Sequence, residues 1–230
     1  MAGGEIIGAA LKQNKTLKSL KIAENDLKTE GAEFIIRNSY NLEELDLGKN
    51  YITSKIGVII KSFLDTSQNI RSLNFEFNEL FQTGTEMISM GLRNSASLIS
   101  LNIRGNAIRD EGLESLADAL SENHTLEELD VSLNEITHVG VLSLAEIVGN
   151  SNLKILNLSK NLLGDEALVY LADGMRKNEK GGSLEKIDVS SSRIGDSGIL
   201  YFLEKTEGLC EFFSEILTNC FLRMRKFEAN

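Results

Sequence analysis

Cysteine and histidine are nearly missing from this chain. Only Cys210, Cys220, His124 and His138 occur in 230 residues. Two thiols do not make a disulfide scaffold and fit a reducing compartment. No His-x-x-x-His, Cys-x-x-Cys or carboxylate-rich metal spacing is present, and no Gly-x-x-x-x-Gly-Lys-Ser/Thr phosphate loop. His124 falls in a turn, and neither cysteine has a histidine near it in sequence. The expectation is therefore no cofactor, no metal and no catalytic centre. Positive charge is also short. Lys and Arg total 24 against 34 Asp and Glu, giving a net charge of −10 and a pI near 4.9. Such a surface repels nucleic acid and anionic lipid. No apolar run reaches the ~20 residues of a membrane span. The opening residues Met1-Ala2-Gly3-Gly4-Glu5 lack the blocks of a secretory signal, and Ala2 excludes myristoylation. Without a signal, the Asn-x-Ser/Thr triplets at Asn14, Asn123 and Asn157 read as chance matches. The expected location is the cytoplasm, with the nucleus open as well, and neither membrane nor nucleic acid is expected as a partner.

What is present is a repeat. An apolar residue is followed by another three on, another two on, then Asn three on, then an apolar residue two on. The copies are Leu17-Leu20-Ile22-Asn25-Leu27, Leu42-Leu45-Leu47-Asn50-Ile52, Ile70-Leu73-Phe75-Asn78-Leu80 and Leu98-Leu101-Ile103-Asn106-Ile108. They continue as Leu126-Leu129-Val131-Asn134-Ile136, Leu153-Leu156-Leu158-Asn161-Leu163 and Leu184-Ile187-Val189-Ser192-Ile194. The starts lie 25, 28, 28, 28, 27 and 31 residues apart, and only Ser192 departs in kind. Apolar residues two apart share one face of a short strand. Between the copies the period becomes helical, as in Leu113-Leu116-Ala117-Leu120 and Val141-Leu144-Ala145-Val148. Each copy predicts a strand, a turn and a helix with one apolar face, which only stacking can bury.

This pattern resembles the leucine-rich-repeat family, in its ribonuclease-inhibitor-like subclass. The resemblance implies an α/β fold: a right-handed solenoid, or horseshoe, with parallel strands on the concave face and helices on the convex face. It spans residues 1–206, as a partial first repeat followed by seven repeats. The Asn column is expected to satisfy backbone groups where the chain leaves each strand. The Gly column (Gly31, Gly84, Gly112, Gly140, Gly198, with Gly3 aligned to it) suits close packing at the helix starts. Asp110, Asp165 and Asp196 place acid where the helix dipole favours it.

The ends differ from the middle. Gly4, Ile7, Gly8 and Leu11 align with helix positions, with no strand before them, so the chain reads as a monomer or as part of a longer protein. Residues 207–230 carry Leu209, Phe212, Phe213, Ile216, Leu217, Cys220, Phe221 and Met224 at amphipathic helical spacing and end in Arg223, Arg225 and Lys226. They are expected to form a capping helix over the last repeat. A decayed eighth repeat and a docking helix are the alternatives.

Function then falls to the outward strand positions. One column reads Lys21, Asp46, Asn74, Asn102, Asp130, Asn157, Asp188, and another Ser19, Glu44, Ser72, Ser100, Glu128, Ile155, Lys186. Phe77 breaks the pattern just past the strand of the third repeat, where its counterparts are Glu24, Lys49, Gly105, Leu133, Lys160 and Ser191; it stands beside Glu76 and Arg104, and aromatic and Arg residues are enriched at binding centres. The candidate partner site is Phe77, Glu76 and Arg104, with Glu44, Asp46, Asn74, Asn102, Glu128 and Asp130 around it. The competing reading is a Glu76–Arg104 cross-strand ion pair of little consequence. Asn102 is expected to be solvated and dispensable, unlike Asn106. The functional expectation is a non-catalytic scaffold for a protein partner of unknown identity. The repeats also resemble those of Ran GTPase-activating proteins and of nucleotide-binding immune receptors. Residues 12–27 resemble a repeat of tropomodulin. GTPase activation and actin binding are accordingly the alternatives.

Overall fold

An apolar pair two residues apart needs only three extended residues to span, and three is what each strand has. The computed structural model describes residues 2–177 and 183–206. In chain order it runs α1 (Ala2–Gln13), β1 (Ser19–Lys21), α2 (Lys28–Ile36), β2 (Glu44–Asp46), a 3₁₀ turn (Ser54–Ile56), α3 (Gly57–Thr66), β3 (Ser72–Asn74) and α4 (Phe81–Asn94). It continues with β4 (Ser100–Asn102), α5 (Arg109–Leu120), β5 (Glu128–Asp130), α6 (His138–Val148), β6 (Ile155–Asn157), α7 (Gly164–Arg176), β7 (Lys186–Asp188) and α8 (Asp196–Thr206). The strands form one open parallel sheet in sequence order, β1 to β7. The register puts Leu20, Leu45, Leu73, Leu101, Leu129, Leu156 and Ile187 in one row. These are the residues expected from spacing to share the inner face. From Leu45 to Leu156 each is at most 1% exposed. Parallel strands stack ~4.8 Å apart, whereas packed helices need ~8–10 Å. The same number of repeats is therefore longer on the helix side, and the sheet bends with its strands inside the curve.

The Asn column locks the repeats together. Asn106 donates from Nδ2 to the carbonyls of Ile103 (3.0 Å) and Arg104 (3.1 Å) in its own turn, and to Phe75 O (2.9 Å) one repeat back. Asn134 Oδ1 in turn accepts the backbone N–H of Asn106 (2.8 Å) and of Ile108 (3.4 Å). Asn50, Asn78 and Asn161 make the same two-way links. Ser192 keeps part of the role: its Oγ accepts from Asn161 N and donates to Leu158 O and Ser190 O. Asn25, in the first repeat, reaches only the carbonyls of its own turn and is exposed.

Three details depart from the sequence reading. Asp110 and Asp165 stand in the first turns of their helices, as expected, but also reach across to the next repeat. Asp110 accepts from both the backbone N–H and the hydroxyl of Thr137 (2.7 Å each), and Asp165 from Gly195 N–H (2.6 Å). Thr29 does the same for Thr53 N–H (2.9 Å). These side chains cap the loop of the following repeat, which a pattern within single repeats does not reveal. Second, Gly4 and Gly8, rather than Gly3, are the close-packed glycines of α1. A Cβ on Gly4 would stand 2.5 Å from the Gly31 backbone, whereas nothing lies within 4 Å of Gly3. Third, Leu17 is exposed and Leu20 and Ile22 are half-buried, because β1 has a neighbour on one side only. Asn14 and Asn123, read as glycosylation look-alikes, each accept two backbone N–H groups in their turns, and Asn123 is buried. The expected helix over 209–224 lies outside the described residues.

Substitutions in the core row and in the Asn column test this register. Leu129→Ala should cost roughly 2–5 kcal/mol. Asn106→Ala, by stranding buried carbonyls and N–H groups, should cost about 2 kcal/mol or more, and Asn25→Ala less than about 1 kcal/mol. Urea unfolding reads both; equal losses at Asn106 and Asn25 would contradict the ladder.

Candidate concave interaction site

The residue before each ladder position adopts a left-handed backbone. Glu24, Lys49, Phe77, Gly105, Leu133, Lys160 and Ser191 have φ between 50° and 64°. That conformation is costly for residues other than glycine. It persists here because each N–H then points at the next repeat: Phe77 N–H donates to Arg104 O (2.7 Å) and Lys49 N–H to Glu76 O (2.7 Å). Gly105 in this column was the sequence signal for it. The side chain at this position projects from the sheet's end rather than into the core.

Phe77 sits in that slot, and its ring lies against Gly105. A Cβ at Gly105 would come within 2.7 Å of Phe77 Cδ1. Gly105 therefore makes room for the ring. Two cations flank it: Arg104 Cζ is 5.5 Å from the ring centroid and Lys49 Nζ 5.8 Å. Both lie within the ~6 Å at which a cation is attracted to an aromatic face. The ring is still 38% exposed. Arg104 is held from its other side by Ser132 Oγ (2.9 Å to Nη1). Lys49 is held by a short contact with Glu24, which raises the Lys49 pKa and lowers that of Glu24. The expected alternative, a Glu76–Arg104 ion pair, is absent. The Glu76 side chain lies instead over Gly48, where a Cβ would meet Glu76 Cγ at 2.8 Å.

The structure thus brings Phe77, Glu76 and Arg104 together and adds Lys49. Sequence reading had only aligned Lys49 with Phe77, because contact across repeats depends on the left-handed turn. Asp46, Asn74, Asn102 and Asp130 occupy adjacent strands, but their carbonyl or carboxylate oxygens are engaged. Each accepts the backbone N–H two residues on, from Gly48, Glu76, Arg104 and Ser132, at 2.9–3.0 Å. This Asx turn closes the strand's end. Asn102 is half-buried and holds the backbone of Arg104, so the expectation that it is dispensable is corrected. Asp130 also accepts from Ser132 Oγ (2.6 Å) and Asn157 Nδ2 (2.8 Å). Glu44 stands apart, paired with Lys21 (2.8 Å) and with Ser19 Oγ (2.7 Å). Glu128 is exposed on β5, between Ser100 and Ile155 in register. Among the described residues no group of three or more His, Cys, Asp or Glu could hold a metal ion, and no helix is long and apolar enough to cross a membrane.

The open parallel sheet, the helix after every strand and the inter-repeat ladder define a solenoid repeat protein. The family model described as Leucine Rich repeat matches residues 13–35, 94–117, 122–145, 149–172 and 183–203, together about half of the chain. The chain belongs to the leucine-rich-repeat family. No curated protein sequence matches it significantly. Among solved structures it is similar to the actin-binding site 2 of leiomodin-1, at 13% identity over 96% of this chain and 95% of that one, with a TM-score of 0.48. It is also similar to the yeast Rad7–Elc1 complex, at 13% identity over 88% of this chain and 57% of that one, with a TM-score of 0.50. At such identities the likeness is one of fold.

Glu44 provides a local check. The Lys21 ammonium, then the Ser19 hydroxyl, hold its carboxyl below the usual carboxylate range. A folded pKa below the unfolded one contributes stability above the ordinary value, and this is lost as pH falls through the folded value. The pair is solvated, so the effect on stability is small. A carbon-detected NMR titration should place Glu44 below the usual range, and Lys21→Met should move it upward. An unchanged midpoint in Lys21→Met would contradict the pairing.

Proposed function

We propose that this chain is a non-catalytic protein-interaction scaffold whose partner sits on the concave face, centred on Phe77. The observation that carries this reading is the ring itself. It is an exposed aromatic on a largely polar face, which also carries the aliphatic Leu133 and Ile155, and it stands over Gly105 near Lys49 and Arg104. A pre-positioned aromatic and Arg lose little side-chain freedom on binding, which is why such residues dominate interface energies. Glu76, Asp46, Asn74 and Asn102 supply the polar rim on the same strands, and Glu128 and Asp130 extend it to β5. Repeat solenoids vary exposed columns while the buried ladder is kept, so specificity can reside in single side chains of this kind. The acidic balance favours a protein partner over nucleic acid or an anionic membrane. The reading also fits a chain that acts without cofactor and in a reducing compartment.

Affinity capture with quantitative mass spectrometry compares the parent chain with Phe77→Ala and Arg104→Ala. A true partner should be retained by the parent and reduced at least about tenfold by either variant, while a surface change in the 3₁₀ turn, Lys55→Ala, leaves it unchanged. Retention of every partner by both variants would overturn the site. Acceleration of GTP hydrolysis on a small GTPase, or inhibition of actin pointed-end elongation, would replace the scaffold reading with one of the two alternatives.

A further inference from the structure

The outer face of the last three helices carries two parallel rows. Thirteen residues after Leu129, Leu156 and Ile187 of the strand row stand Leu142, Val169 and Leu200, on α6, α7 and α8. Four residues further on each helix stand Glu146, Asp173 and Glu204, and α5 adds Asp118 at the same place. Leu142 is 45% and Leu200 59% exposed, Val169 is half-buried, and Val139, one turn back on α6, is 58% exposed. All four carboxylate residues are exposed. α6 is apolar around most of its circumference, although one side faces water. A helix of that composition normally buries all its sides. An apolar strip rimmed by charge on a soluble protein marks a contact surface.

We propose that this convex face docks an amphipathic α-helix of another protein, lying across α6–α8, with an apolar residue every seventh position and basic residues along one flank. The spacing argues for a helix. Neighbouring packed helices lie ~8–10 Å apart, and seven residues of an α-helix rise about 10.5 Å. A residue repeated every two turns therefore meets Leu142, Val169 and Leu200 in succession. The charge argues for the flank. Residues i and i+4 on a helix lie about 6 Å apart, so the carboxylate row runs beside the apolar row for its whole length. The nearby cations are Arg176, Lys177 and Lys205. Lys205 is engaged with Glu204 (3.2 Å) and lies 5.4 Å from the Tyr201 ring centroid, while the Tyr201 hydroxyl donates to Asp173 (3.1 Å). Four carboxylates against three cations, one of them engaged with Glu204, leave the row acidic. This surface is on the opposite side of the solenoid from Phe77, so the two sites are independent.

The probe is a fluorescent three-heptad peptide with Leu at every seventh position and Lys along one flank, titrated into the full chain and read by anisotropy. The parent chain should bind it, and binding should weaken with added salt. Leu142→Asp/Leu200→Asp and, separately, Glu146→Lys/Asp173→Lys should each weaken it at least about tenfold, while Phe77→Ala leaves it unchanged. All these positions are exposed, and Leu200→Asp alone gives the same readout if a double variant fails to fold. Failure of the parent to bind, or equal binding by the convex variants, overturns the proposal. So does a parent chain that sediments as a dimer dissociated by Leu200→Asp, which would make a second copy the occupant. Loss of peptide binding in Phe77→Ala alone would transfer it to the concave site.

Discussion

The asparagine ladder is the constraint on which the rest of the structure depends. A three-residue strand offers too few ladder bonds to fix its register, and a single repeat cannot bury its own apolar face. From Asn50 to Asn161 each carboxamide closes its own turn, reaches back one repeat, and accepts from the backbone of the repeat before it. The side chain does this from a buried position, where an unmade hydrogen bond is costly. Register is thus set by a polar column as much as by the leucines beside it.

The functional surface follows from that lock. To place the Asn, the chain turns through a left-handed residue just before it, and that residue points out at the end of the strand. In most repeats this slot holds a charged, small or aliphatic residue. In the third repeat it holds Phe77, and the next repeat supplies Gly105 beneath the ring and Arg104 beside it. The candidate site is therefore a by-product of the turn geometry, decorated differently from repeat to repeat. The Asx column serves the same end. Asp46, Asn74, Asn102 and Asp130 turn the backbone so that the next residues present themselves to solvent.

Much of this was legible in the sequence. The seven strands and the inward row followed from one spacing rule repeated seven times, and their parallel order from the family resemblance that this rule carries. What escaped were relations between repeats. Asp110 stands in the first turn of its helix as expected, but it also caps Thr137, one repeat on. Asn102 looked solvated because its position faces outward, yet a short polar side chain there reaches its own backbone. Lys49 entered the site through the left-handed turn of a neighbouring repeat. A linear pattern reports which face a residue takes, while contacts across repeats depend on turn geometry that the pattern does not encode.

Native-state hydrogen exchange tests the ladder most directly. The N–H groups of Asn106 and Ile108 lie in a loop between a three-residue strand and a helix, yet both donate to Asn134 Oδ1. They should be protected nearly as strongly as the core strands, opening only when the repeats separate. In Asn134→Ala their protection should collapse, while the amides of Asn50 and Ile52, held by Asn78, exchange as before. Fast exchange at Asn106 and Ile108 in the parent chain, or unchanged protection in Asn134→Ala, would contradict the account.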